Sequence, residues 1–137
     1  MIARLNELRG LGLKSIAMTS NGLAIHRRLP QFIENGLTHL NLRSLFLPPV
    51  TYWYLPPRSL DTLDPFKFEI MTRRPGHDLV LRTLDAALTS SGLQSVKLNV
   101  VVVKGLNDSE ALDFVEMTKH KPISVRFIEF MPFTGQH

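Results

Sequence analysis

The feature that most constrains the fold is an alternation of two patterns. Short apolar runs recur at 15–18 (SIAM), 38–42 (THLNL), 95–103 (SVKLNVVVV) and 123–130, and longer polar/apolar mixtures separate them. Runs this short suit buried strands, whereas apolar residues three and four apart suit one face of a helix. Helices are predicted over 2–9, where Ile2, Leu5 and Leu8 precede Gly10 and Gly12, and over 23–35, which Pro30 divides and Asn35-Gly36 stops. Asp64-Pro65 opens another, running to Met71. Asp78 caps a stronger one, with Val80, Leu84 and Ala87 on one face and Gly92 as its stop. Asn107 with Glu110 three residues on reads as a capping box ahead of Ala111, Phe114, Val115 and Thr118. Strand then helix, repeated, means parallel pairing through right-handed crossovers. The fold class is α/β, a partial (β/α) barrel, because four parallel strands alone leave long edges unprotected.

At 137 residues, 44% hydrophobic and 20% charged, the chain has the length and composition of one globular domain. Its net charge of +4 favours an anionic partner, but the charge is dispersed, with no run beyond Arg27-Arg28 and Arg73-Arg74. That excludes a nucleic-acid-binding stripe. No apolar run reaches the ~20 residues that cross a bilayer, and no targeting segment is visible. The absence of cysteine excludes disulfides, thiolate metal sites and cysteine-ligated iron–sulfur clusters on this chain.

In a parallel βα array, functional groups collect at the C-terminal ends of strands. Four stations lie there. Thr19-Ser20-Asn21-Gly22 joins a strand end to a glycine turn, a geometry that offers hydroxyls and N–H groups to an anion or is simply a turn. Asn41 is polar in an apolar strand. Lys97 and Asn99 share one face of a strand that reads as buried on both sides, and a buried ammonium calls for a partner or an anionic ligand. In 125–131, Phe127, Glu129 and Met131 share a face opposite Arg126, Ile128 and Phe130; Glu129 calls for partners, and Met131 reads as core packing. The five histidines have no metal-ligand spacing and read as surface or satisfied polar residues.

In order and spacing, IAMTSNG, LTHLNL, SLDTLDPFKFEIMTRR, SVKLNVVVVKGLND and ISVRFIEFMPF resemble the radical S-adenosylmethionine enzymes of the MoaA-type GTP 3′,8-cyclase family. The resemblance implies an open barrel of which this chain supplies approximately strands three to six. The family's N-terminal cluster loop, its S-adenosylmethionine-binding GGEP-type motif and its C-terminal domain have no counterpart here. It implies conversion of GTP to (8S)-3′,8-cyclo-7,8-dihydroguanosine 5′-triphosphate, the first step of molybdenum cofactor biosynthesis, by a deoxyadenosyl radical. S-adenosylmethionine and [4Fe–4S] clusters are the implied cofactors of the complete enzyme. Carried over by motif, Thr19 and Lys97 contact GTP, and Ser59 and Met131 contact S-adenosylmethionine. No residue here is assigned to catalysis or to a metal. The complete eukaryotic protein is expected in mitochondria, with a homodimer as one compatible state.

Residues 43–58 have no counterpart in the family text: joining Leu42 to Ser59 restores it, and Arg-Ser-Leu occurs at both 43–45 and 58–60. In the joined chain the serine shares the face of Asn41; as written, Arg43 takes its place. Within domain 1–137, one expectation is therefore a retained in-frame intron, with a GT donor across the Arg43 and Ser44 codons and an AG acceptor in that of Ser59. The other is a translated lid, in which Tyr52-Trp53-Tyr54 between two Pro-Pro pairs makes a stiff aromatic flap. As a whole the chain reads as a cyclase fragment inactive by itself or, alternatively, as a non-catalytic GTP-binding α/β module.

Overall fold

The computed structural model describes residues 1–43, 60–73 and 75–130. A short helix α1 (Ile2–Asn6) passes into a 3-10 turn (Glu7–Leu11) that Gly12 ends with φ +101°. Then follow β1 (Ala17–Ser20), α2 (Leu29–Glu34), β2 (His39–Arg43), α3 (Pro65–Thr72), α4 (His77–Thr89), β3 (Ser95–Val102), α5 (Ala111–His120) and β4 (Ile123–Glu129). The strands form one parallel sheet in the order β1-β2-β3-β4. The expected α/β architecture is thus present as an open four-strand segment of a β/α barrel.

The register explains why these residues make a sheet with one packed face. Met18, Leu40, Val96 and Ile123 form one cross-strand row, and Ser20, Leu42, Leu98 and Val125 the next but one. Against them pack Leu29 of α2, Phe68 of α3, Val80, Leu84 and Ala87 of α4, and Phe114 of α5. The apolar spacing read in α4 is the buried face of that helix.

Several element boundaries differ from the sequence reading, and the helix expected over 2–9 is α-helical only to Asn6 before it tightens into the 3-10 turn. β1 begins two residues later than 15–18 and takes in Thr19 and Ser20. The helix expected over 23–35 occupies only Leu29–Glu34, because Pro30 sits in its first turn, where its missing N–H costs nothing. Asp78 does not cap α4: the Gly76 carbonyl already accepts from the N–H groups of Leu79 and Val80, so the helix starts at His77. Asp64 does cap α3, accepting from the N–H groups of Phe66 (2.7 Å) and Lys67 (3.1 Å). These two bonds hold its carboxyl below the usual range.

The capping box expected at Asn107 and Glu110 is replaced by long-range bonds that fasten residues 61–67 to the end of β3. Asn107 Oδ1 accepts from Val103 N–H (2.7 Å), and its Nδ2 donates to the carbonyls of Asp61 (2.7 Å) and Val101 (2.8 Å). Asp61 Oδ1 accepts from Val101 N–H at 2.8 Å. The Glu110 carboxylate, 8% exposed, accepts from the Thr62 hydroxyl, Leu63 N–H (2.8 Å) and Lys67 Nζ (2.8 Å). Burial alone pushes the Glu110 carboxyl up; the bonds from Lys67, Thr62 and Leu63 outweigh it and hold the group below its ordinary value. The same bond raises the Lys67 ammonium.

Candidate functional site

Side chains alternate along a strand, so every residue between two packed rows points to the other face. There the register aligns Thr19, Asn41, Lys97 and Ser124 in one row, and Arg43, Asn99 and Arg126 in a second. Thr19, Arg43, Lys97, Ser124 and Arg126 are exposed, and Asn41 and Asn99 are half-buried. Asn99 Nδ2 donates to the Leu42 carbonyl at 3.4 Å.

This placement corrects the reading of Lys97 as buried on both sides. Val96, Leu98 and Val100 are buried, but Lys97 between them stands on the open face. Parallel sheets are ordinarily covered on both faces, and the Val-rich run follows that habit; among the described residues only one face carries helices. The expectation that Glu129 requires partners fails for a different reason: it shares the helix-side face of Phe127 but stands at the last position of β4, where it is exposed.

Thr19 and Lys97 share a row but do not touch. β2 lies between them, which puts their backbones two strand spacings, about 10 Å, apart. Of the four residues 19–22, the turn uses the side-chain oxygens of Ser20 and Asn21 and the carbonyl of Gly22. Ser20 Oγ accepts from Gly22 N–H (3.2 Å), Asn21 Oδ1 accepts from Leu23 N–H (3.2 Å), and Thr83 donates to the Gly22 carbonyl. The predicted cradle of hydroxyls and N–H groups is therefore mostly consumed by its own turn. Ser59 and Met131, like residues 44–58 with their Tyr52-Trp53-Tyr54 segment, lie outside the described residues.

A cavity of about 650 Å³ opens beside β1, lined by Met18, Thr19, Ser20, His26, Arg27 and Arg28 among others. His26 Nδ1 is buried there without a hydrogen-bond partner, which corrects the reading of this histidine as satisfied. His77 does fit that reading: it is buried, its Nε2 lies 3.3 Å from the Thr62 carbonyl, and its ring meets Phe68 edge-on. A second cavity of about 500 Å³ lies at the C-terminal ends of β3 and β4, between Val102, Lys104 and Phe130. Arg126 was not singled out by sequence reasoning, yet it stands two residues along β4 from Ser124 of the Lys97 row, on the same face. Its alternation with Phe127, which packs edge-on against Phe114, is the signal that places it there.

The chain's donors do not fit an iron–sulfur cluster. It has no cysteine, and among the described residues no group of three or more His, Asp or Glu side chains is placed to hold a metal ion.

No protein-family model matches the chain. Curated relatives do. It is 48% identical over 124 residues, 90% of its length, to "GTP 3′,8-cyclase, mitochondrial" of Arabidopsis thaliana. It is 41% identical over 135 residues, 98% of its length, to "Molybdenum cofactor biosynthesis protein 1" of Bos taurus. It is 36% identical over 132 residues, 96% of its length, to "GTP 3′,8-cyclase" of the bacterium Rhodopirellula baltica. The chain spans 27%, 18% and 31% of these relatives respectively.

Proposed function

We propose that this chain, which belongs to the MoaA-type GTP 3′,8-cyclase family, is the substrate-side segment of an enzyme for the first step of molybdenum cofactor biosynthesis. Its open sheet face meets GTP. The observation that carries this reading is the row containing Thr19 and Lys97, the two positions assigned to GTP, flanked by the exposed Arg43 and Arg126. Lys97 supplies a mobile point charge to a phosphate oxygen, Thr19 a hydroxyl able to donate or accept, and Arg126 a planar fork suited to a second anionic oxygen. Among the described residues no ion pair holds Lys97, so its ammonium is available to a ligand.

S-adenosylmethionine and [4Fe–4S] clusters belong to the complete family enzyme. This chain supplies no thiolate to a cluster, so its own contribution is to bind and orient the nucleotide. Mitochondrial location is proposed for the complete protein, in line with the name of the Arabidopsis relative. The missing thiolates equally favour a second reading, a non-catalytic GTP-binding module.

Calorimetry with GTP tests the shared part of both readings. Lys97→Ala is expected to weaken binding about tenfold or more, the loss of one charge-assisted contact, with unchanged melting because Lys97 is exposed. GTP binding indifferent to both Lys97→Ala and Thr19→Val overturns the reading. Adding the purified chain to a cysteine-bearing remainder of the enzyme separates the two: restored turnover identifies the segment, and persistent inactivity with intact GTP binding identifies the module.

A further inference from the structure

Arg43 and Asp61, on either side of residues 44–59, engage the same stretch of β3, and they do so in phase. Arg43 faces Asn99 across the β2–β3 ladder, so the position two residues later in a continuous β2 faces Val101. Asp61 is the residue found at Val101. Its Oδ1 accepts from Val101 N–H, and Asn107 Nδ2 bridges the Asp61 and Val101 carbonyls. If Leu42 were bonded directly to Ser59, Asp61 would be the third residue after Leu42, which is the place that faces Val101. Burial agrees. Leu60 would stand two residues after Leu42 on the packed face, and both leucines are 0% exposed.

We infer that residues 43–58 are a register-neutral insertion: the sheet accepts the chain with or without them, and removing them exchanges Arg43 for Ser59 opposite Asn99. The sixteen-residue span matters. The Arg-Ser-Leu repeat has a period of fifteen, and excising one repeat unit would join Arg43 to Ser59. Leu60 would then fall three residues after Leu42, on the open face, and every following side chain would change sides. The packing of Leu60 and the bonds of Asp61 thus select one excision length over its neighbour. The consequence at the ligand face is a change of chemistry. One of the cations Arg43, Lys97 and Arg126 becomes a hydroxyl, leaving a row of serine, amide and guanidinium. The inference rests on the ladder alone and stands whether or not the face binds GTP.

Three deletions test it in the full chain: 43–58, 44–58 and 43–59. The first is expected to melt at or above the Tm of the full chain, since it shortens the connection between Leu42 and Leu60 without moving a packed residue. The other two carry Leu60 to the open face and are expected to melt at least ~5 °C below the first. Soluble yield of the same four chains as fusions to a fluorescent reporter gives the same ranking where melting is not cooperative. A 43–58 deletion that melts lower or is less soluble than the full chain overturns the inference, as does equal behaviour of all three deletions.

Discussion

Glu110→Gln tests the fastening that holds residues 61–67 against β3. Glu110 is buried, and its carboxylate takes one bond each from Thr62, Leu63 N–H and Lys67. Glutamine keeps the shape and one acceptor. With its oxygen turned to Thr62 and Leu63, the amide NH2 faces Lys67 Nζ, donor against donor. A hydrogen bond to a charged group contributes about 1.5–3 kcal/mol. The Lys67 side chain is 31% exposed and can turn to water, so the low end applies, about 1.5–2 kcal/mol.

The pH dependence has a definite sign. The folded-state carboxyl of Glu110 lies below its ordinary value of 4.5. Its stabilisation is therefore complete above the ordinary carboxylate range and is lost as pH falls through the folded value. Glutamine does not titrate, so the gap between the two proteins is widest near pH 7 and narrows below about 4.5. Asp64, held low by its own backbone bonds, leaves a common acid sensitivity in both. Urea unfolding at matched slope reads the gap. Equal midpoints at pH 7, or a gap that widens towards acid, refutes the account.

Asn107→Ala leaves the Val103 N–H and the Asp61 and Val101 carbonyls without their buried partner, and is expected to cost about 2–4 kcal/mol in the same assay. Asn107→Asp should fare no better, because it turns an acceptor towards two carbonyls. Gly22→Ala meets a φ of +83° and places a methyl 3.1 Å from Val80 Cγ1; a loss of about 1–2 kcal/mol is expected by thermal melting. Thr83→Val, isosteric and buried, removes the bonds to the Gly22 and Leu79 carbonyls and is expected to cost about 1–2 kcal/mol, read from the urea midpoint.

What the sequence made legible was whatever has a local cause. Val80, Leu84 and Ala87 fall on one face because helical spacing puts them there, and Asp64-Pro65 starts α3 because its side-chain oxygen and ring suit a first turn. Asn107 and Glu110 were misread because the capping-box spacing is also local, while their partners Asp61 and Thr62 lie more than forty residues earlier in the chain. His26 belongs with them: nothing beside it in the sequence marks a ring nitrogen that burial will leave unpaired. Lys97 was placed on the right face of the right strand. Its exposure was not legible, because whether a face is covered depends on what the rest of the fold lays over it.

That last point bears on what the open face can be for. A second apolar layer over it would enclose Lys97, Arg43 and Arg126, and the desolvation of each cation costs several kcal/mol without a partner. An α/β sheet usually has helices on both sides, yet here a helix layer would have to bring carboxylates or leave water. A polyanion resolves the conflict at least expense: it neutralises the row it lies on and needs no apolar cover. The same charges that keep this face from becoming core therefore favour an anionic ligand there.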